Sequence, residues 1–330
     1  AENKRRKGKN MKVLVKKLTC LVLVALMLLG LTACSDNRSG KKQYNVAVLL
    51  PGSVAYYSAT TEGNERAADE YGINLTFFDA EWDSTKQISQ IEDCCMSGRY
   101  DMIALVPVDA MGVIPGLEYA QENDMPVMTW SNTVGDDINN NYPGIIAHVG
   151  QNDEETGALC AKIVKNLLGE GGGNVVCIEG RAGTFAQVHR RIGFESGLEG
   201  SNVKIVYTKA ADWDKYKAMQ IAEDVLQSGT DIDAFFCQDD VMAAGVGSVV
   251  QEYGRQDQIK VVGMSGSIEG LKAMKDGLIQ GDTFISAVEL GYQAIATCGK
   301  YLSGQEYDSR LIMKQVEVTP DTVDNFKGEW

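Results

Sequence analysis

From Tyr44 onward the chain alternates short apolar runs with amphipathic stretches, and it does so almost to its end. Tyr44 to Leu50 reads as a strand, and Ala59, Gly63, Ala67 and Tyr71 then recur every fourth residue on a helix that Gly72 stops. Ile73 to Phe78 is the next strand, followed by a helix from Thr85 with Ile88, Ile91 and Cys94/Cys95 on one face. Met102 to Val106 and Pro126 to Trp130 are continuous apolar runs, the pattern of parallel strands covered on both faces. The alternation restarts with a helix over 156–168, and the turn Gly169 to Gly173 leads into the strand Val175 to Glu179. Helices over 186–198, 216–227, 241–253 and 268–276 then interleave with strands over 204–209, 233–237, 260–264 and 283–287. Two successive units of this kind, with only 6 Pro and no low-complexity linker, predict an α/β protein with two doubly wound parallel-sheet lobes joined by close crossovers.

The first residues read differently. Lys12, Lys16 and Lys17 precede the apolar run Leu18 to Leu29, which is shorter than the roughly eighteen residues a membrane-spanning helix needs. The run leads to Leu31-Thr32-Ala33-Cys34 and a polar linker, and it resembles the lipobox of a bacterial lipoprotein signal. That resemblance implies cleavage before Cys34 and a lipid on its sulfur, hence a protein held at the outer face of the cytoplasmic membrane. Ala1 to Asn10 are expected to lie upstream of a true start at Met11.

Of 31 basic and 45 acidic residues, the first 33 positions hold eight and one, which leaves a net charge of −21 on the remainder. A field of that sign repels phosphate backbones, so nucleic acid is not an expected partner. Cys94, Cys95, Cys160, Cys177, Cys237 and Cys298 sit mostly in apolar strand or helix contexts and read as buried free thiols, with disulfides as the alternative. They show no metal-ligand spacing, and only His148 and His189 could add imidazole. No metal or other cofactor is expected.

Enzyme signatures are incomplete. The Gly169 to Gly173 run lies between a helix and a strand, whereas phosphate loops open a helix. Gly180-Arg181-Ala182-Gly183-Thr184 is placed correctly but lacks the Gly-Lys-Ser/Thr ending. Gly263-Met264-Ser265-Gly266-Ser267 approaches a nucleophile elbow, yet Ser267 stands where glycine is required. Aromatic residues carry more. Tyr56 and Tyr57, Trp82, Trp130 and Trp213 fall at strand ends or in strand-to-helix loops, where open parallel sheets bind ligands. Flat rings there stack on the C–H faces of a sugar while polar groups take its hydroxyls.

Several strings together resemble the ribose/galactose-type periplasmic binding proteins over 44–330. They are Tyr56-Tyr57 before Gly63, Ile103 to Asp109, Met125 to Thr129, Gly180 to Phe194, Ala211-Asp212-Trp213-Asp214, Gln238-Asp239-Asp240 and Val261-Val262-Gly263. The resemblance implies the type I periplasmic-binding-protein fold, its two lobes joined by a hinge, following the leader and signal peptide (1–33) and the linker (34–43) that the lipobox marks off. The N-terminal lobe would be 44–147 plus 287–310, and the C-terminal lobe 148–286 plus 311–330. It further implies a monomer that is no enzyme, takes a small sugar and delivers it to the membrane permease of an ABC transporter. A sensory protein serving a receptor kinase is the alternative, and a sugar-responsive repressor would need a helix-turn-helix where this chain has an export signal.

Within that resemblance Tyr56 and Tyr57 stack from one lobe and Trp213 from the other, Arg190 is the pocket arginine, and Asp239 accepts hydroxyl protons. The full set of expected ligand contacts adds Trp130, Ser131, Asn132, Thr184, Ser265 and Ser286. Ser131-Asn132 replace an Asp-Arg pair, Ser265 an aspartate, Ser286 a hinge-side Gln and Val54 an Asn. These exchanges predict a roomier pocket for a substituted, larger or less common sugar.

Overall fold

The computed structural model describes residues 43–330 apart from Asn140. The leader, Cys34 and its lipid, and the linker as far as residue 42 lie outside the described residues.

The first sheet is six-stranded and parallel throughout, in the order β11-β5-β4-β3-β1-β2. Its strands are β1 (Tyr44–Leu50), β2 (Ile73–Asp79), β3 (Met102–Leu105), β4 (Val127–Ser131), β5 (Ile145–Gln151) and β11 (Arg310–Met313). Helices α1 (Ala55–Tyr71), α2 (Ser84–Ser97), α3 (Ile114–Glu122) and α9 (Ala287–Leu302) cover its two faces. The apolar runs serve both faces because side chains alternate along a strand. Val46, Val48, Met102, Ala104 and Met128 pack with Leu290 and Ala294 on one side, and Ala47, Leu49, Ile103 and Leu105 with Ile91 and Leu117 on the other.

The second sheet is four-stranded and parallel, in the order β7-β6-β8-β9. It comprises β6 (Gly173–Glu179), β7 (Val203–Ala210), β8 (Ala234–Cys237) and β9 (Lys260–Val262). A bridge from Val262 to Gly281 links it to β10 (Asp282–Phe284), which pairs antiparallel with β12 (Val316–Val318). Its helices are α4 (Asp153–Leu168), α5 (Phe185–Leu198), α6 (Lys215–Gln227), α7 (Asp240–Glu252) and α8 (Ile268–Lys275). Phe194 of α5 stacks on Phe236 of β8 with centroids 4.1 Å apart.

The expected α/β architecture with parallel sheets in two lobes is therefore present. The chain passes between the lobes three times: after β5, between β10 and α9, and between β11 and β12. The lobe boundaries expected at 147/148 and 310/311 fall inside β5 and β11, both of which pair in the first sheet to Gln151 and Met313. All six described cysteines are free, five of them buried and Cys95 partly so. No helix among the described residues is long and apolar enough to cross a membrane.

Most helices start on a side chain that caps them, and these caps lie at the strand ends that face the other lobe. Asp83, Asn152, Thr184, Asp214, Asp239 and Ser286 each accept a backbone N–H from the first turn of the following helix. Helix α5 is pinned against α4 by two glycines. A Cβ on Gly157 would stand 2.1 Å from the Arg190 carbonyl oxygen, and one on Gly193 2.0 Å from that of Glu154. Backbone contact of this kind fixes the height at which Arg190 leaves the helix.

Candidate functional site

A cavity of about 270 Å³ opens between the lobes. The first lobe lines it with residues after β1, β2 and β4, and the second with residues after β6, β7, β8 and β9. It thus sits outside the carboxyl ends of both sheets, the place where open α/β sheets take ligands. The volume is near the lower end of the roughly 300–1,000 Å³ usual for small-molecule pockets. The roominess expected from the serines is absent because Trp82 and Trp330 also line the space.

The two lobes present tryptophan from equivalent elbows. Ala80-Glu81-Trp82-Asp83 follows β2, and Ala211-Asp212-Trp213-Asp214 follows β7. In each, the acidic residue and the tryptophan both adopt left-handed backbone, with φ of 53° and 62° in the first elbow and 57° and 63° in the second. Two hydrogen bonds hold each turn. Ala80 and Ala211 donate N–H to Leu50 and Glu179, and Asp83 and Asp214 donate N–H to the alanine carbonyls, at 2.8–3.0 Å. Each indole lies on a glycine: a Cβ on Gly52 would come within 2.2 Å of Trp82, and one on Gly180 within 1.9 Å of Trp213. A guanidinium stands over each ring as well, Arg181 at 5.4 Å from Trp82 and Arg190 at 5.6 Å from Trp213. The Arg181 contact joins the second lobe to the first.

Arg190 is nearly enclosed. Its Nε donates to Asp153 Oδ1 at 2.8 Å and its Nη1 to the Gln238 carbonyl at 2.6 Å, which leaves Nη2 as the donor for a guest. Burial pulls its pKa down, but the Asp153 carboxylate against it outweighs that and the net shift is upward. The group is a permanent cation. Asp239 has its pKa raised to about 6 by burial, against the Met242 N–H that Oδ1 accepts and the Arg190 charge, both of which favour the ion. Tyr57 is pushed up to about 12 by burial, and Tyr56 higher still; the Tyr56 hydroxyl has no partner among the described residues. The tyrosines are thus neutral donors. Flat apolar faces, one fixed cation, one carboxylate and several neutral hydroxyls make a surface for a polyhydroxylated ring.

Nine of the expected contacts line this cavity: Tyr56, Tyr57, Ser131, Asn132, Thr184, Arg190, Trp213, Asp239 and Ser265. Two do not. Trp130 is fully buried in the first-lobe core, its ring edge-on to Tyr57 at 6.1 Å, because alternation along β4 turns it away from the face that Ser131 occupies. Ser286 caps α9 and donates its hydroxyl to Glu329 at 2.8 Å, so it is spent within the protein. Trp82, one of the strand-end aromatics, and Val54, which stands where the family has Asn, also line the cavity, as do Ala55, Ala186, Val241 and Trp330, which the sequence did not single out. Trp82 had a signal, the repeated Ala-acid-Trp-Asp string that it shares with Trp213. Among the described residues no group of three His, Cys, Asp or Glu side chains could hold a metal ion.

Comparison with known proteins agrees in kind. The family model described as a periplasmic binding protein domain matches residues 46–306. The chain is 26% identical over 297 residues to the ribose import binding protein of Haemophilus influenzae, covering 90% of this chain and 97% of that one. It is 28% identical over 273 residues to the D-allose-binding periplasmic protein of Escherichia coli, covering 82% and 85%. Among solved structures, an ABC transporter solute-binding protein from Bacillus halodurans with bound myo-inositol superposes with a TM-score of 0.79 at 25% identity, covering 86% of this chain and 96% of that one.

Proposed function

We propose that this chain, which belongs to the family of periplasmic binding protein domains, captures one small sugar or sugar derivative by closing its two lobes on it and hands it to the permease of an ABC importer. Like its family it binds and does not catalyse. The observation that carries the reading is a cavity to which both lobes contribute rings and hydrogen-bonding groups. Trp213 and Tyr56 offer faces for the C–H surfaces of a sugar, and Arg190 Nη2 and Asp239 offer a charged donor and acceptor for its hydroxyls. A ligand that touches both lobes favours the arrangement in which both are in reach, so its binding energy drives closure. In this reading the protein works outside the cytoplasmic membrane, held there by lipid on Cys34.

Calorimetric titration of the purified protein with D-ribose, D-allose, myo-inositol and a wider panel of monosaccharides tests the ligand class. Saturable heat with at least one carbohydrate is expected. Binding of some other metabolite class, with every carbohydrate silent, would overturn the assignment.

A further inference from the structure

The segment Gly328 to Trp330 is fastened to both lobes next to the cavity. On the first-lobe side the Glu329 carboxylate accepts the Ser286 hydroxyl at 2.8 and 3.0 Å and the Val288 N–H at 2.9 Å. It sits at the start of α9, where the helix dipole and the unpaired amides favour a negative charge. On the second-lobe side the Ile268 N–H, at the start of α8, donates to the Trp330 carbonyl at 2.7 Å. The chain runs so close there that a Cβ on Gly328 would stand 2.4 Å from the Ile268 nitrogen.

Between these anchors the Trp330 side chain is held in the cavity wall, its ring edge-on to Tyr56 with centroids 5.6 Å apart and an interplanar angle of 84°. Its indole N–H is buried and has no acceptor among the described residues. An indole nitrogen only donates, and a buried donor without an acceptor is costly.

We propose that Glu329 and Trp330 form a strap across the two lobes and that Trp330 is a ligand-binding residue whose indole N–H donates to an oxygen of the guest. The inference rests on the reading of the cavity as a sugar site and adds a donor to it. The strap occupies Ser286, the hydroxyl that sequence comparison would assign to the guest, and supplies Trp330 in its stead. The matching chemistry is a ring oxygen or a hydroxyl lone pair, so the guest is selected by an acceptor at that position.

The test uses the panel sugar that the wild type binds most tightly, with affinity by calorimetry and melting temperature measured side by side. Trp330→Phe keeps a ring and removes the N–H, so affinity should fall about three- to tenfold with the melting temperature of the ligand-free protein no lower than that of the wild type. Trp330→Ala should lose about thirtyfold or more, and Glu329→Gln an intermediate amount. A deoxy analogue lacking the accepting oxygen should bind Trp330→Phe and wild type alike. If Trp330→Phe and Trp330→Ala retain wild-type affinity while Trp213→Ala loses it, the strap proposal fails and the sugar site stands. A fall in melting temperature with unchanged affinity also overturns it, since the role is then structural. Should Trp330→Ala not fold, Trp330→Phe and the deoxy analogues decide. If the wild type binds no sugar, the underlying reading falls and the proposal with it.

Discussion

Two of the Arg190 donors are committed inside the protein, so the side chain serves stability and binding at once. Its partner Asp153 is wholly buried, with Oδ1 also accepting from Gln151 at 2.9 Å. Arg190→Ala leaves that carboxylate uncompensated, and chemical denaturation should show a loss of about 3 kcal/mol or more. Arg190→Lys separates the roles: it keeps the charge for Asp153 but loses the fork, and titration with the best panel sugar should show affinity down about tenfold. Asp239 supplies a pH test. With its pKa raised to about 6 in the fold, its carboxyl is ionised above that value and protonated below it. Only the ion accepts hydroxyl protons at both oxygens, so affinity should hold steady above about pH 7 and fall as the pH drops through 6. The stability linkage has the opposite sense. A raised pKa contributes stability that is fully present below the unfolded value near 3.8 and is lost as pH rises through about 6. Asp239→Asn keeps a residue that caps α7 well and removes the charge, so the affinity profile should flatten relative to wild type, while the stability profile keeps the part due to Asp240 and Asp282, whose pKa values burial also raises. An affinity profile that keeps its acid limb in Asp239→Asn would assign the effect elsewhere.

At the scale of elements, the paired elbows are what bring a tryptophan from each lobe to the cavity. Gly180→Ala is the sharpest probe, because the added Cβ would stand 1.9 Å from the Trp213 ring and backbone strain plays no part there. The ring must swing off its seat, so sugar affinity should fall about tenfold or more while far-UV circular dichroism is unchanged. Asp214→Ala removes the acceptor of the Tyr216 and Lys217 N–H groups and should cost about 1 kcal/mol in denaturant unfolding. The same elements show what the sequence makes legible. Strands such as Met102–Leu105 and Ala234–Cys237 are buried throughout, and a continuous apolar run is a strong signal. Strand β5 was not read because His148, Gly150 and Gln151 interrupt its apolar pattern, and β11 because all four of its residues are only partly buried at the sheet edge. Loop residues after strands were found by position, since the fold puts them at one end of each sheet. Trp130 and Ser286 were misplaced because one step along a strand reverses a side chain, and because a hydroxyl beside a helix start has a nearer use than a ligand. Trp330 is brought in by pairing with Ile268, more than sixty residues away, and nothing periodic around it announces that contact.

For the molecule as a whole, the proposed closure depends on what ties the cavity to the crossovers between the lobes. From Arg190 a chain of side chains runs through Asp153 and Gln151 to Gln315, whose amide donates to Gln151 Oε1 at 2.7 Å. Gln315 in turn accepts the Thr283 hydroxyl, and the Ser265 N–H donates to Thr283 Oγ1 at 3.2 Å. Two cavity residues, Arg190 and Ser265, are thereby joined through Gln151 at the end of β5 and Gln315 between β11 and β12, both at crossovers between the lobes. In the proposed closing motion, rotation about these crossovers would disturb the bonds that span them, so the network is expected to favour the arrangement of this structure, taken as the closed one, over an open one. Gln315 lines no part of the cavity. Gln315→Ala should nevertheless lower sugar affinity about fivefold, the equivalent of one net hydrogen bond lost from the closed form alone. Small-angle scattering gives the matching structural readout: saturating sugar should shrink the radius of gyration of the wild type, and Gln315→Ala should need more sugar to reach the same value. If Gln315→Ala lowers the melting temperature yet leaves affinity and the scattering titration unchanged, the bonds persist in both forms and the hinge is governed by something else.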